Sequence, residues 1–158
     1  MGCQMPSSMA IEFPCSALMI EPAPTDQEPT IVPAVGDPMI RPLLRPEAYG
    51  HPVAAGGPQL LETHLSWVLL SGPYAYKLKK PVAFGFVDFS TAELREQACR
   101  DELRLNRRLS PERYLDVVPV YGPLEAASFI PPAGAPVSAN APAVVLAWAV
   151  RMVQFDQE

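Results

Sequence analysis

Residues 73–81, PYAYKLKKP, carry three of the chain's twelve basic residues within four positions. They read as a β-strand that Pro81 ends. Side chains along a strand alternate between faces, so Tyr74, Tyr76 and Leu78 point one way and Ala75, Lys77 and Lys79 the other. Such a lysine face has two readings: it is solvated, or it meets an acid. The next helical stretch offers the acid. At about 100° per residue, Leu94, Ala98, Leu105 and Leu109 form one apolar stripe, expected to face the sheet, with Asp101 and Glu102 at its edges. A carboxylate at the edge of a buried stripe is costly unless a cation meets it. Lys77 and Lys79 are the nearest along the chain; alternatively both acids reach water beside Arg100 and Arg104. A lysine held by a carboxylate can present its ammonium to phosphate oxygens. Ala75, small and on the same face, leaves room there for a flat ring.

The elements that must position these groups follow from pattern and punctuation. Residues 59–71, QLLETHLSWVLLS, suggest a strand into Glu62, a tight turn, and a strand through residues 67–70. Ser71-Gly72-Pro73 is a turn signal before the lysine strand. Residues 82–89, VAFGFVDF, read as a loop or short extended piece with an aromatic cluster. Ser90 is expected to cap a helix, with Glu93 completing a capping box. The helix should run to about Leu109, before Ser110-Pro111. Residues 116–122 and 143–155 read as two further strands, joined by a Pro-, Ala- and Ser-rich loop. The order strand, strand, strand, helix, strand, strand predicts an α+β fold: a five-stranded antiparallel sheet with one main helix. Eleven of the twenty prolines fall in residues 1–58. That density predicts a largely disordered leader over 1–58, with a short helical piece possible at 40–45, and a folded domain over 59–158.

Composition narrows the functions available. A net charge of −5 argues against a nucleic-acid-binding surface. Cys3, Cys15 and Cys99 lack metal-site spacing, and an odd number gives no disulfide framework, so a reducing cytoplasm is the simplest setting. No apolar run reaches the roughly 18 residues of a membrane span. The start lacks a signal-peptide pattern, and Pro6 stands where a myristoylation start carries Ser or Thr. His64 is a poor metal candidate, since its only fellow, His51, sits in a Pro- and Gly-rich stretch.

With the strand lysine and helix acid in place, a family likeness appears. The run ETHLSWVLLSGPYAYKLKKPVAFGFVDFST, followed by DELRLNRRLSPERYLDVVPV and AVRMVQF, resembles the N-terminal lobe of the protein-kinase-like fold as found in aminoglycoside phosphotransferases. More narrowly, it is similar to a bacterial subfamily often fused to a P-loop ATPase domain. The likeness covers roughly residues 59–158. It implies an ATP-binding lobe, with Lys77 contacting the nucleotide's phosphates and Glu102 pairing with that lysine. It implies that Thr63, His64 and Ser66 lie in the turn over the phosphates, without a glycine-rich motif. Ala75 would then pack on adenine, and Met152, Gln154 and Phe155 would lead into the hinge that binds the adenine edge.

Phosphoryl transfer also needs a catalytic aspartate and metal-binding Asn and Asp residues, which this fold keeps in its C-terminal lobe. No H-x-D or Asp-Phe-Gly element follows the last strand, Asp88-Phe89-Ser90 lies on the wrong side of the helix, and a G-x-x-x-x-G-K-[ST] motif is absent. The expectation is therefore a truncated lobe, inactive alone, with no catalytic or metal-binding residue assigned. Mg²⁺ would be expected only with a C-lobe, which, like the P-loop ATPase domain, would be encoded separately. A lobe of this kind would leave its cleft-facing surface open to a partner or to self-association. The alternatives are a non-enzymatic interaction module and a degenerate gene fragment.

Overall fold

The computed structural model describes residues 30–31, 37–133 and 144–154. It is α+β. The elements are β1 (Thr30–Ile31), α1 (Ile40–Leu43), β2 (Gln59–Glu62), β3 (Ser66–Ser71) and β4 (Tyr74–Lys79). A small hairpin follows, β5 (Ala83–Phe84) and β6 (Val87–Asp88), then α2 (Ala92–Asn106), β7 (Tyr114–Tyr121) and β8 (Val145–Val153). The sheet order is β1-β2-β3-β4-β8-β7, antiparallel at each pairing. All five expected strands are present. The two residues of β1 add a sixth at the edge of β2.

Local chemistry explains the joints. Ser71 pairs with Tyr74, so Gly72 and Pro73 alone turn the chain between β3 and β4. Gly72 has φ +55°, and a Cβ there would stand 2.5 Å from the Pro52 carbonyl oxygen, so only glycine fits. Pro119 sits within β7, which is an edge strand; a proline lacks the N–H that an inner strand must donate. The cap of α2 is Thr91, one residue later than expected: its Oγ1 accepts from the Leu94 amide at 3.3 Å. Ser90 instead donates its amide to Asp88 Oδ1. The helix ends at Asn106, short of Leu109.

Two layers cover the sheet. On one face Leu69, Tyr76, Leu78, Val120 and Ala149 are buried against Ile40, Leu43, Ala48 and Tyr49. These last four lie in the stretch assigned by proline density to the disordered leader, and the structure corrects that assignment for residues 39–49. Prolines here punctuate short turns: Pro42 lies within α1, and Pro46 opens a 3-10 turn at Pro46–Ala48. The Tyr49 hydroxyl donates to the Leu43 carbonyl at 2.7 Å, closing the segment on itself.

On the other face lies α2, with a different stripe turned inward from the one its leucines suggest. Cys99 is fully buried, flanked by half-buried Arg95, Glu102, Leu103 and Asn106. Leu94 and Leu105 are exposed, and Leu109, beyond the helix, is 86% exposed. The inward stripe is mixed because the sheet beneath it carries lysines.

Candidate functional site

The site begins with the register of β4. Lying between β3 and β8, it places Lys77 opposite Val68 on one side and Val150 on the other. Helix α2 crosses this face, anchored where Cys99 Sγ donates to the Trp148 carbonyl of β8 at 3.6 Å. Glu102, three residues along and thus nearly one turn further, comes over β4. There Lys77 Nζ donates to Glu102 Oε1 at 2.9 Å, and Lys79 Nζ donates to Glu102 Oε2. The lysine face is therefore paired rather than solvated. Asp101, the other acid weighed, faces outward and accepts from Gln97 and Arg104 on its own helix.

The three groups differ in access to water. The Lys79 and Glu102 side chains are 10% and 13% exposed, whereas Lys77 is 32% exposed. Burial pushes the Glu102 carboxyl up, but the hydrogen bonds and charges of Lys77 and Lys79 outweigh it and hold the group below its ordinary value. Two ammonium groups share one carboxylate, so the cluster keeps a surplus positive charge. An ammonium has three donors, and Lys77 gives one to Glu102. The rest, on the more exposed of the two lysines, suit an anion.

A second pair lies at the end of the same strand, on the Trp67 side. Lys80 donates to Glu62 Oε1, and its ammonium sits 5.5 Å from the centre of the Trp67 ring. The sequence reading missed this pair; it offered Lys79 as a candidate cation for the helix acids but assigned only Lys77 to Glu102. The signal for Lys79 was its place two residues from Lys77, on the same face.

The remaining residues named from sequence scatter by burial. Thr63 Oγ1 accepts from the Ser66 amide at 3.0 Å and donates to the Ser66 carbonyl, so the two close the β2–β3 turn. Thr63 and His64 are exposed, and Ser66 is buried. Ala75 lies on the face of Lys77, as alternation requires, and is 7% exposed. Gln154 donates its backbone N–H to the Pro73 carbonyl at 2.9 Å, and Phe155 lies outside the described residues.

Among the described residues no group of three or more His, Cys, Asp or Glu side chains is placed to hold a metal, and no helix is long and apolar enough to cross a membrane. No family model matches the chain, and no solved structure matches it. Uncharacterized proteins of Mycobacterium bovis and of two strains of Mycobacterium tuberculosis are each 48% identical to it over 62 residues. That stretch is 39% of this chain and 12% of each relative's own length, so the match spans a small part of much longer mycobacterial proteins.

Proposed function

We propose that this chain is the phosphate-contacting lobe of a nucleotide-dependent small-molecule phosphotransferase of kinase-like fold. The observation that carries the reading is the Lys77–Glu102 ion pair between a central strand and the helix packed on it. A lysine so held presents a fixed cation to the oxygens of a nucleotide's phosphates, where charge builds during transfer. The residues fit that group in two respects: the cluster has one positive charge in surplus, and Lys77 is its more exposed lysine. Under this reading Lys77 binds and orients phosphate, Glu102 and Lys79 position Lys77, and Ala75 lines the adenine side. ATP would supply the transferable phosphoryl group. A second lobe would supply the acceptor-activating acid and the Mg²⁺ ligands.

Calorimetric titration with ATP tests the reading, with and without Mg²⁺. The expected result is saturable binding with a Kd of about 1 mM or tighter, weakened at least about tenfold in Lys77→Met. That variant keeps the Lys79–Glu102 pair, so it should stay folded. Equal ATP affinity in wild type and Lys77→Met overturns the assignment.

An interaction module is the second reading, and one observation favours it. Phe84 and Phe86 stack at 5.8 Å between ring centres on the small hairpin, both exposed. Aromatic rings held outward in this way suit burial by a partner. Absence of nucleotide binding in wild type, together with concentration-dependent association abolished by Phe86→Ser, would support this reading over the first.

A further inference from the structure

The sheet face turned away from α2 carries its own concavity. A cavity of about 330 Å³ opens there, walled by His51, Tyr74, Tyr76, Phe129, Ile130 and Arg151 among others. Its rings hold one another in place. Tyr76 and Phe129 have centroids 4.3 Å apart, and His51 lies parallel to Tyr76 at 6.0 Å and edge-on to Tyr74 at 5.1 Å. The Arg151 guanidinium sits 5.3 Å from the centre of the Tyr74 ring. Such walls are fixed before any ligand arrives, which removes part of the ordering cost of binding.

The polar capacity of this wall can be followed atom by atom. The Pro52 carbonyl only accepts, so the His51 Nδ1 that lies 3.0 Å from it carries the proton. His51 Nε2 is then the acceptor for the Tyr76 hydroxyl at 3.0 Å. Arg151 donates to Asp116 from Nε at 2.9 Å and from Nη2 at 2.7 Å. A guanidinium has five N–H groups. Two go to Asp116, leaving three. The spare capacity of Arg151 itself is therefore donor only, and Asp116 balances the arginine's charge.

From this we infer that the cavity is a binding site for a small planar aromatic compound bearing a hydrogen-bond acceptor, such as an aryl carboxylate or aryl amide. The ring lies against Tyr74 and Phe129, and the acceptor takes the free N–H groups of Arg151. The volume lies at the small end of ligand pockets, which run from about 300 to 1,000 Å³, and suits a single substituted ring. Lys77 and Glu102 lie on the opposite face, so the site stands independently of the proposed phosphate contact.

Proton NMR on the full chain tests it with four probes: benzoate, benzamide, benzylammonium and cyclohexanecarboxylate. Benzoate or benzamide should shift the ring protons of Tyr74 and Tyr76 saturably, with a Kd of about 1 mM or tighter. Benzylammonium, which offers no acceptor, and cyclohexanecarboxylate, which cannot stack, should bind at least about fivefold more weakly. Ile130 is exposed on the cavity wall, so Ile130→Trp should fill the cavity, leave the fold intact and abolish the shifts. Three results would each overturn the inference: no saturable shift from either aryl acceptor, equal response to benzylammonium or cyclohexanecarboxylate, or shifts that survive Ile130→Trp.

Discussion

Glu102 carries more of the site than either lysine does, because it is the shared partner. Removing it leaves the Lys79 ammonium, 10% exposed, without the carboxylate it donates to. Breaking a buried pair on one side costs about 3–5 kcal/mol. Lys77 reaches water, so Glu102→Gln is expected to cost about 3 kcal/mol, the lower end of that range. Lys77→Met leaves the Lys79–Glu102 pair whole and should cost less than about 1 kcal/mol. Urea unfolding at pH 7 checks both values, and equal losses would sink this account. The pH dependence follows in sign. The folded carboxyl is held below its ordinary value of 4.5. Its contribution is therefore full above that value and is lost as pH falls through the lower folded value. Below pH 4.5 the stability of wild type should decline more steeply than that of Glu102→Gln.

The helix shows where sequence periodicity misleads and why. A 100° repeat fits the leucine stripe of α2, yet the helix turns Cys99 to the sheet and leaves Leu94 and Leu105 in solvent. Apolar count fails to predict orientation here because the facing strand presents two cations, and Glu102 must meet them. The pair itself was legible: strand alternation put Lys77 and Lys79 on one face, and the spacing of the stripe placed Glu102 at its edge. The direction of the helix was not, since it depends on a contact between elements 23 and 25 residues apart. Two substitutions separate the stripes. Cys99→Ala removes buried side-chain volume and the bond to the Trp148 carbonyl and should cost about 1–2 kcal/mol. Leu105→Ser should change stability by less than about 0.5 kcal/mol. Burial also pushes the Cys99 thiol up to about 11. In a Cys3→Ser/Cys15→Ser background, Ellman's reagent at pH 8 should therefore leave Cys99 unmodified until denaturant unfolds the chain. Prompt labelling in native buffer would mean that α2 does not seat this residue on β8.

At the scale of the molecule, the strand order was legible because turns and alternation are local signals. The start of the domain was not. Proline density reads as disorder, but Pro42 and Pro46 shape short turns that deliver Ile40, Leu43 and Tyr49 to the core. The two interpretations predict different minimal domains. A chain beginning at residue 59 keeps the five long strands and α2 but uncovers Leu69, Tyr76 and Leu78. Burying a large apolar side chain contributes about 1.5–3 kcal/mol. Loss of Ile40, Leu43 and Tyr49 therefore removes about 5–9 kcal/mol, comparable to the whole stability of a typical domain at about 5–15 kcal/mol. A chain beginning at residue 29 retains the pairing of β1 with β2 as well as this layer. It should unfold in one cooperative thermal transition, close to that of the full chain. The chain from residue 59 should show no cooperative transition and should bind a hydrophobic dye. A cooperative transition in the shorter chain, within a few degrees of the longer, would return residues 39–49 to the role of a leader.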